Sequence, residues 1–285
     1  MAIEKTLKFI WNEFIYGGHL ISLGAVSIVF TSAILLNIKI TWDCLIIIYL
    51  FAYNSILYNR YKERRTDYLT NPERTKNLEK YFPYIFLIVF FSILISVGIL
   101  FYYNRITALL FLILLSLLGF LYTEYFKKIT EKIIAFKNIY FSLITSLLLI
   151  FLAFYYSYPL LTFPIFLILI FVFLRMLINT IFLDIKDIES DKKIKLMTFP
   201  ILYGSKKILV FLKGITILSV LPIILGFYFD LIPKFSLVLL FVIPYSFYYF
   251  NKSKLEKNFY LVNYVLADFE FILWSFFVLA GKISL

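Results

Sequence analysis

The sequence predicts an all-α, polytopic membrane protein, with about nine transmembrane helices bundled around a central cavity. Three observations predict it. The 285 residues are 62% hydrophobic and only 16% charged, with a mean hydropathy of +0.92, whereas a soluble domain carries about 25% charge. The apolar residues form continuous runs separated by charged breaks, which excludes an outer-membrane barrel, where apolar and polar residues alternate. Lys and Arg collect in alternate breaks, as the positive-inside rule requires.

The nine runs are Phe14–Leu36, Leu45–Tyr58, Phe82–Tyr103, Ile106–Tyr122, Ile133–Tyr156, Pro159–Phe182, Ile208–Tyr228, Phe235–Phe250 and Tyr260–Gly281. The first is too long and too poorly flanked for a cleaved signal. The second is short, and its helix is expected to continue amphipathically into the polar stretch that follows. The third runs 22 residues without a charge, more than a soluble helix needs. Basic residues number two before the first run, seven after the second, four after the fourth, six after the sixth and three after the eighth. The other side holds only Lys39, Arg105, Lys234 and Lys282, and Arg175 and Lys213 lie within runs. This asymmetry places the N-terminus and the long loops in the cytoplasm of a multi-pass cell-membrane protein. It also accounts for the net charge of +11 through topology and contact with anionic membrane lipid. No separate basic domain exists, so no nucleic-acid partner is expected. Nine Gly and eight Pro leave no room for a linker, and residues 1–285 read as one domain. A single cysteine, Cys44, and a single histidine, His19, exclude internal disulfides, Cys-rich metal sites and multi-His metal sites.

The chemistry sits in two cytoplasmic loops. After the second run, Asn59, Glu63 and Asp67 are spaced i, i+4, i+8, so they share one face of a helix. After the sixth run, Asp184, Asp187 and Asp191 are spaced i, i+3, i+7, again one face. Four runs separate the clusters, which returns the chain to the same side. Five carboxylates facing one cavity repel one another unless cations or protons intervene. Hard oxygen ligands without His or Cys select Mg²⁺, Mn²⁺ or Ca²⁺. Mg²⁺ characteristically shares its coordination with substrate phosphates, and a diphosphate leaving group is the natural third party.

The sequence here resembles the UbiA superfamily of intramembrane prenyltransferases. Its first motif, N-x-x-x-D-x-x-x-D commonly followed by N-x-P-x-R or a relative, is matched by Asn59, Glu63 and Asp67, with Pro72 and Arg74 at the family distances from Asp67. Its second, D-x-x-x-D with a T-L-P-x-x-x-G tail, is matched by Asp187 and Asp191, with Asp184 ahead and Thr198-Phe199-Pro200-Ile201-Leu202-Tyr203-Gly204 behind. Leu121-Tyr122, Lys127-Lys128 and Lys137-Asn138 in the loop after the fourth run are similar too. Glu63 stands where the family has Asp, and Ser190 where Gly is frequent. The resemblance implies Mg²⁺-dependent transfer of a prenyl group from an isoprenyl diphosphate to an unknown acceptor, with two Mg²⁺ bridging the motifs. Asn59, Glu63, Asp67, Asp184, Asp187 and Asp191 would hold metal. Asn59, Arg74, Lys127 and Tyr122 would hold the diphosphate. Asp67, Asp187, Asp191 and Lys127 would be catalytic. A same-family terpene cyclase or polyprenyl-phosphate phosphoribosyltransferase is the alternative. A cation-coupled transporter is less favoured, because its acids should lie near the bilayer midplane.

Other residues carry smaller expectations. Asp268 and Glu270 lie inside the ninth run, where ionisable groups face a cavity or a partner. Arg175, inside the sixth, is expected to answer Asp268 or help hold diphosphate. Lys213 is expected to snorkel, His19 to be a packed polar group or an interface residue, and Gly17, Gly18 and Gly24 to permit close helix contact.

Overall fold

The structure is a computed structural model, and it describes residues 2–253 and 261–284. Lys254, Lys257 and Tyr260, counted above around the eighth loop, lie outside the described residues. The described chain contains no strand. Its α-helices, in order, are α1 (Ala2–Tyr16), α2 (His19–Leu35), α3 (Trp42–Thr70), α4 (Pro72–Leu78), α5 (Ile85–Tyr102), α6 (Ile106–Glu124), α7 (Phe136–Ser146), α8 (Leu148–Tyr156), α9 (Phe163–Leu183), α10 (Ile188–Lys193), α11 (Phe199–Tyr203), α12 (Ser205–Ser219), α13 (Leu221–Tyr228), α14 (Val242–Lys252) and α15 (Ala267–Ser284). A π-helical turn, Leu261–Leu266, leads into α15.

Among the described residues, six stretches are long and apolar enough to cross a membrane: Phe82–Tyr102, Ile106–Glu124, Phe136–Tyr156, Phe163–Leu183, Ser205–Tyr228 and Leu261–Ser284. The first helix pair, bent by 56°, makes a seventh if it counts as one span. Two of the nine apolar runs fall short for visible reasons. The second is the inner half of α3, whose other half is the charged stretch Asn59–Asp67. The eighth is broken where a 3₁₀ helix, Lys234–Phe241, gives way to α14.

Apolar side chains pack inward and also face out. One cluster joins Ile28, Val29, Ile47, Phe151, Phe171 and Trp274 from five helices; a second joins Ile178, Phe182, Leu212, Tyr249 and Phe250. Yet only 22% of the apolar window in Phe82–Tyr102 is buried, and Phe86, Phe90, Leu94 and Ile95 are exposed. Such an outer surface suits lipid, not water. The bend between α1 and α2 requires glycine. Gly18 has φ +97, and a Cβ there would lie 3.0 Å from Arg60 Nη1 and from Ile56 Cγ2. At Gly24 a Cβ would sit 3.5 Å from Phe271 Cβ, an ordinary contact, so the approach of α2 to α15 there does not require glycine. Close contact, as expected, is the use of Gly18.

Polar contacts mark the two ends of the bundle. At one end the Thr41 amide donates to the Tyr156 hydroxyl at 2.8 Å, Tyr155 donates to Asp43, and the Arg105 guanidinium lies 5.4 Å from the Tyr155 ring centroid. Cys44 is buried there. The ends of α3, α6 and α9 that carry the acidic and basic motifs gather at the other.

Candidate active site

The first cluster is laid out by an unbroken helix. Because α3 runs without interruption to Thr70, Asn59, Glu63 and Asp67 form one row along it. Asn59 Oδ1 accepts from the Thr123 hydroxyl at 3.3 Å, Glu63 pairs with Lys127 at 2.6 Å, and Asp67 pairs with Arg74 at 2.7 Å. Pro72 at the first turn of α4 starts a new helix directly after α3, because proline is tolerated there. That turn brings Arg74 back onto Asp67.

The second cluster is not a single helix face. Helix α9 ends at Leu183, and α10 begins at Ile188 after a turn. Asp184 closes the first helix, Asp187 precedes the second, and Asp191 lies within it. Lys137 Nζ meets Asp184 Oδ1 at 2.9 Å and Asp191 Oδ2 at 2.7 Å. Asn138 Nδ2 donates to Asp184 Oδ2 at 2.8 Å. Lys186 Nζ pairs with Asp187 at 2.8 Å.

The two clusters meet through side chains that the spacing of the acids does not point to. Asn71 Nδ2 donates to Asp187 Oδ1 at 3.4 Å, and Lys186 Nζ donates to Asn71 Oδ1 at 3.1 Å. Tyr264, carried by the π-helical turn, donates to the same Asn71 oxygen. Its ring lies between two cations, with Arg74 Cζ 5.6 Å and Lys186 Nζ 5.5 Å from the centroid. Tyr122 stacks on Tyr140 at 5.5 Å and sits in the field of Lys137, Glu63, Asp184 and Asp191. The predicted residues therefore share one end of the bundle. Of the joining groups, only Lys137-Asn138 had a sequence signal, through the family resemblance. Asn71, Lys186 and Tyr264 are recruited by tertiary structure.

Five carboxylates here face four cations. Every predicted acid is paired with a lysine or arginine, and among the described residues no group of three or more His, Cys, Asp or Glu side chains is arranged to hold a metal. The donor set is nonetheless all hard oxygen, which fits Mg²⁺. Among the described residues Arg74 Nε is buried without a partner, as is Asn138 Oδ1; a buried donor without an acceptor is unfavourable, and a phosphate oxygen would satisfy the first. Electrostatics differ within the second cluster. Burial alone would raise the Asp187 carboxyl, but Lys186, Arg74 and Lys137 outweigh it and hold it at about 2. Burial dominates at Asp191 and, with Asp184 and Asp187 nearby, raises it to about 6 in spite of Lys137. A cavity of about 440 Å³ lined by Arg64, Arg65, Tyr68, Thr75, Glu79 and Phe82 opens on another face of α3 and α4 and contains none of the predicted ligands.

Three smaller expectations resolve. Arg175 does not answer Asp268: its Nε donates to Glu270 Oε1 at 2.9 Å, while Asp268 accepts from Asn179 at 3.4 Å. The two acids are two positions apart, about 200° around a helix, so they face different neighbours. His19 shares a 2.6 Å hydrogen bond with the Tyr49 hydroxyl and stacks on Tyr53, a packed polar group. Lys213 reaches Asn251 Oδ1 at an exposed position.

Comparison with known proteins follows the same lines. The model of the UbiA prenyltransferase family matches residues 20–264. The fold is similar to that of a UbiA homologue from Aeropyrum pernix K1 in its apo form, with a TM-score of 0.69 at 16% identity over 93% of this chain and 97% of that one. It is similar to a UbiA homologue from Archaeoglobus fulgidus bound to GPP and Mg²⁺, with a TM-score of 0.64 at 16% identity over 96% and 99% of the two chains. It is similar also to a digeranylgeranylglyceryl phosphate synthase, with a TM-score of 0.59 at 18% identity over 99% and 100%. No curated protein sequence matches. The chain belongs to the UbiA prenyltransferase family.

Proposed function

We propose that the protein transfers the prenyl group of an isoprenyl diphosphate to an acceptor within the membrane, in a Mg²⁺-dependent reaction, with residues 1–285 acting as one domain of about nine spans. The observation that carries the reading is the meeting of two acidic stretches, far apart in sequence, at one basic end of the bundle. The Lys and Arg asymmetry supports a cytoplasmic N-terminus and a site facing the cytoplasm.

Asn59, Glu63 and Asp67 on one side, and Asp184, Asp187 and Asp191 on the other, would hold Mg²⁺. When bound, the ion supplies Lewis-acid neutralisation of the departing diphosphate. Arg74, Lys127, Asn59 and Tyr122 bind and orient the diphosphate: Arg74 offers its unpartnered Nε, and Lys127 is a point charge beside Glu63. Such donors stabilise charge that grows on the leaving group. The apolar helices behind the site exclude water from the allylic carbon, and the lipid gives the prenyl tail direct access. The acids lie at the edge of the bundle, which favours an enzyme over a cation-coupled transporter.

The test uses purified protein with Mg²⁺ and labelled allylic diphosphates of five to twenty carbons. Release of diphosphate, lost with EDTA, is expected. Cleavage of no donor, together with solute uptake in liposomes, would reverse the assignment. Product analysis with and without added acceptor separates transfer from cyclisation.

A further inference from the structure

Lys137 differs from the other cations of the site. Lys127, Arg74 and Lys186 each pair with one carboxylate, and those carboxylates stay partly open, at 18%, 18% and 24% exposed. Lys137 bridges two, and Asp184 and Asp191 are only 8% and 6% exposed. Asp184 has both oxygens engaged, Oδ1 by Lys137 and Oδ2 by Asn138. The position of Lys137 is fixed by backbone. Its amide donates to Thr130 Oγ1 at 3.0 Å, the Met197 amide donates to the Thr130 carbonyl at 2.8 Å, and the Ala135 amide donates to the Met197 carbonyl at 2.9 Å. These bonds join the loop before α7 to the loop after α10, where the Leu196 amide donates to the Asp191 carbonyl at 3.0 Å, so the segment that carries Lys137 is tied to the one that carries Asp191.

A cation between two carboxylates removes their mutual repulsion, and an ammonium group with three donors can do so as a metal ion does. A divalent ion at this place would have to expel a buried ammonium, and separating a buried pair leaves uncompensated charge. We infer that the Lys137 ammonium is a built-in cation that takes the place of one divalent ion at the second acidic cluster, so that the donor complex holds one metal ion and not two. The inference rests on the metal–diphosphate reading above and refines it. Asp184 and Asp191 cradle Lys137, and the exchangeable ion is shared by the first cluster, Asp187 and the diphosphate.

Counting Mn²⁺ by electron paramagnetic resonance tests it, with the full chain in detergent and the uncleavable S-thiolo analogue of geranyl diphosphate at saturation. The wild type is expected to bind one Mn²⁺ per chain. Lys137→Met, which vacates the cradle, is expected to bind two and to gain a Mn²⁺-dependent rise in melting temperature without any donor, a rise the wild type lacks. Lys137→Arg, which keeps a cation, is expected to stay at one. Two ions in the wild type would overturn the inference and leave the metal–diphosphate reading standing, as would one ion in both the wild type and Lys137→Met. No bound ion in the wild type would overturn both. A count of two in the wild type overturns the inference whether or not Lys137→Met folds. If it does not fold, Lys137→Gln, which also removes the cation but keeps a polar side chain, is read in its place, with two ions expected and one ion overturning the inference.

Discussion

Arg175 and Glu270 meet well inside the bundle, whereas Lys137, Asp184 and Asp191 meet at its charged end. Both are buried ion pairs, but their surroundings differ. The Arg175 guanidinium also donates to Ser246 at 2.6 Å and reaches Ser219 at 3.4 Å, and the second Glu270 oxygen accepts from Ser246 at 2.9 Å and Tyr249 at 3.2 Å. One cation meets one anion, and neutral donors fill what remains. That network ties α9 to α12, α14 and α15, each of the last three beside a break or an irregular turn. At the charged end, five carboxylates face four cations, and Arg74 Nε and Asn138 Oδ1 have no partner among the described residues. The first network is closed on itself, whereas the second keeps surplus charge, which is what the proposed ligand would use.

The sharpest way to break this contrast is to open the closed network. Arg175→Met should destabilise the protein by about 3–5 kcal/mol, because it leaves Glu270 charged and buried without a partner. Thermal unfolding in detergent should show it, and the double variant Arg175→Met, Glu270→Met should recover most of the loss. A single variant as stable as the wild type would remove the structural role. At the charged end the effect should fall on chemistry. Asp67→Ala should lower turnover by about 100-fold or more, in the range for loss of a group that stabilises transition-state charge, with a melting temperature close to that of the wild type. Wild-type turnover in this variant would refute its role. Glu63→Asp, which shortens the reach by one methylene, should stay within about tenfold of wild-type activity; complete loss would show that the longer side chain is matched to this site.

The smallest expected effects separate two neighbouring aspartates. Asp187 is held at about 2, below its unfolded value, so its ionised form stabilises the fold above pH 4, and that contribution fades as pH falls toward 2. Asp187→Asn should therefore lower the melting temperature at pH 8. Asp191 is raised to about 6, so its contribution is full below pH 4 and lost as pH rises through 6. Asp191→Asn should raise the melting temperature at pH 8, and the gain should shrink toward pH 4. Shifts of about 2–4 °C per kcal/mol are expected for a chain of this size. Equal shifts of the same sign in both variants would contradict the assigned environments.

The parts of the site legible in sequence are those that local geometry controls. The row Asn59, Glu63, Asp67 could be read from spacing because α3 is continuous through it. The spacing of Asp184, Asp187 and Asp191 suggested one helix face, but the helix stops at Leu183. The acids still converge, since a turn and a new helix redirect Asp187 and Asp191. The counter-charges were harder to see. Lys137 and Tyr264 come from distant segments, and the π-helical turn that carries Tyr264 has no periodic signature. Apolar runs define spans but carry no mark of the breaks at Gly18, after Ser146 and at Val220, and a charge-rich helix such as α3 falls outside what length and hydropathy define.

Diphosphate release by wild type and Asp67→Ala, each with Mg²⁺ and with EDTA, tests the central claim most directly. With a membrane lipid extract supplying acceptor, the account predicts cleavage of an allylic isoprenyl diphosphate by the wild type with Mg²⁺ and at least about 100-fold less in each of the other three conditions. Cleavage that survives EDTA, or that Asp67→Ala sustains at the wild-type rate, would contradict it.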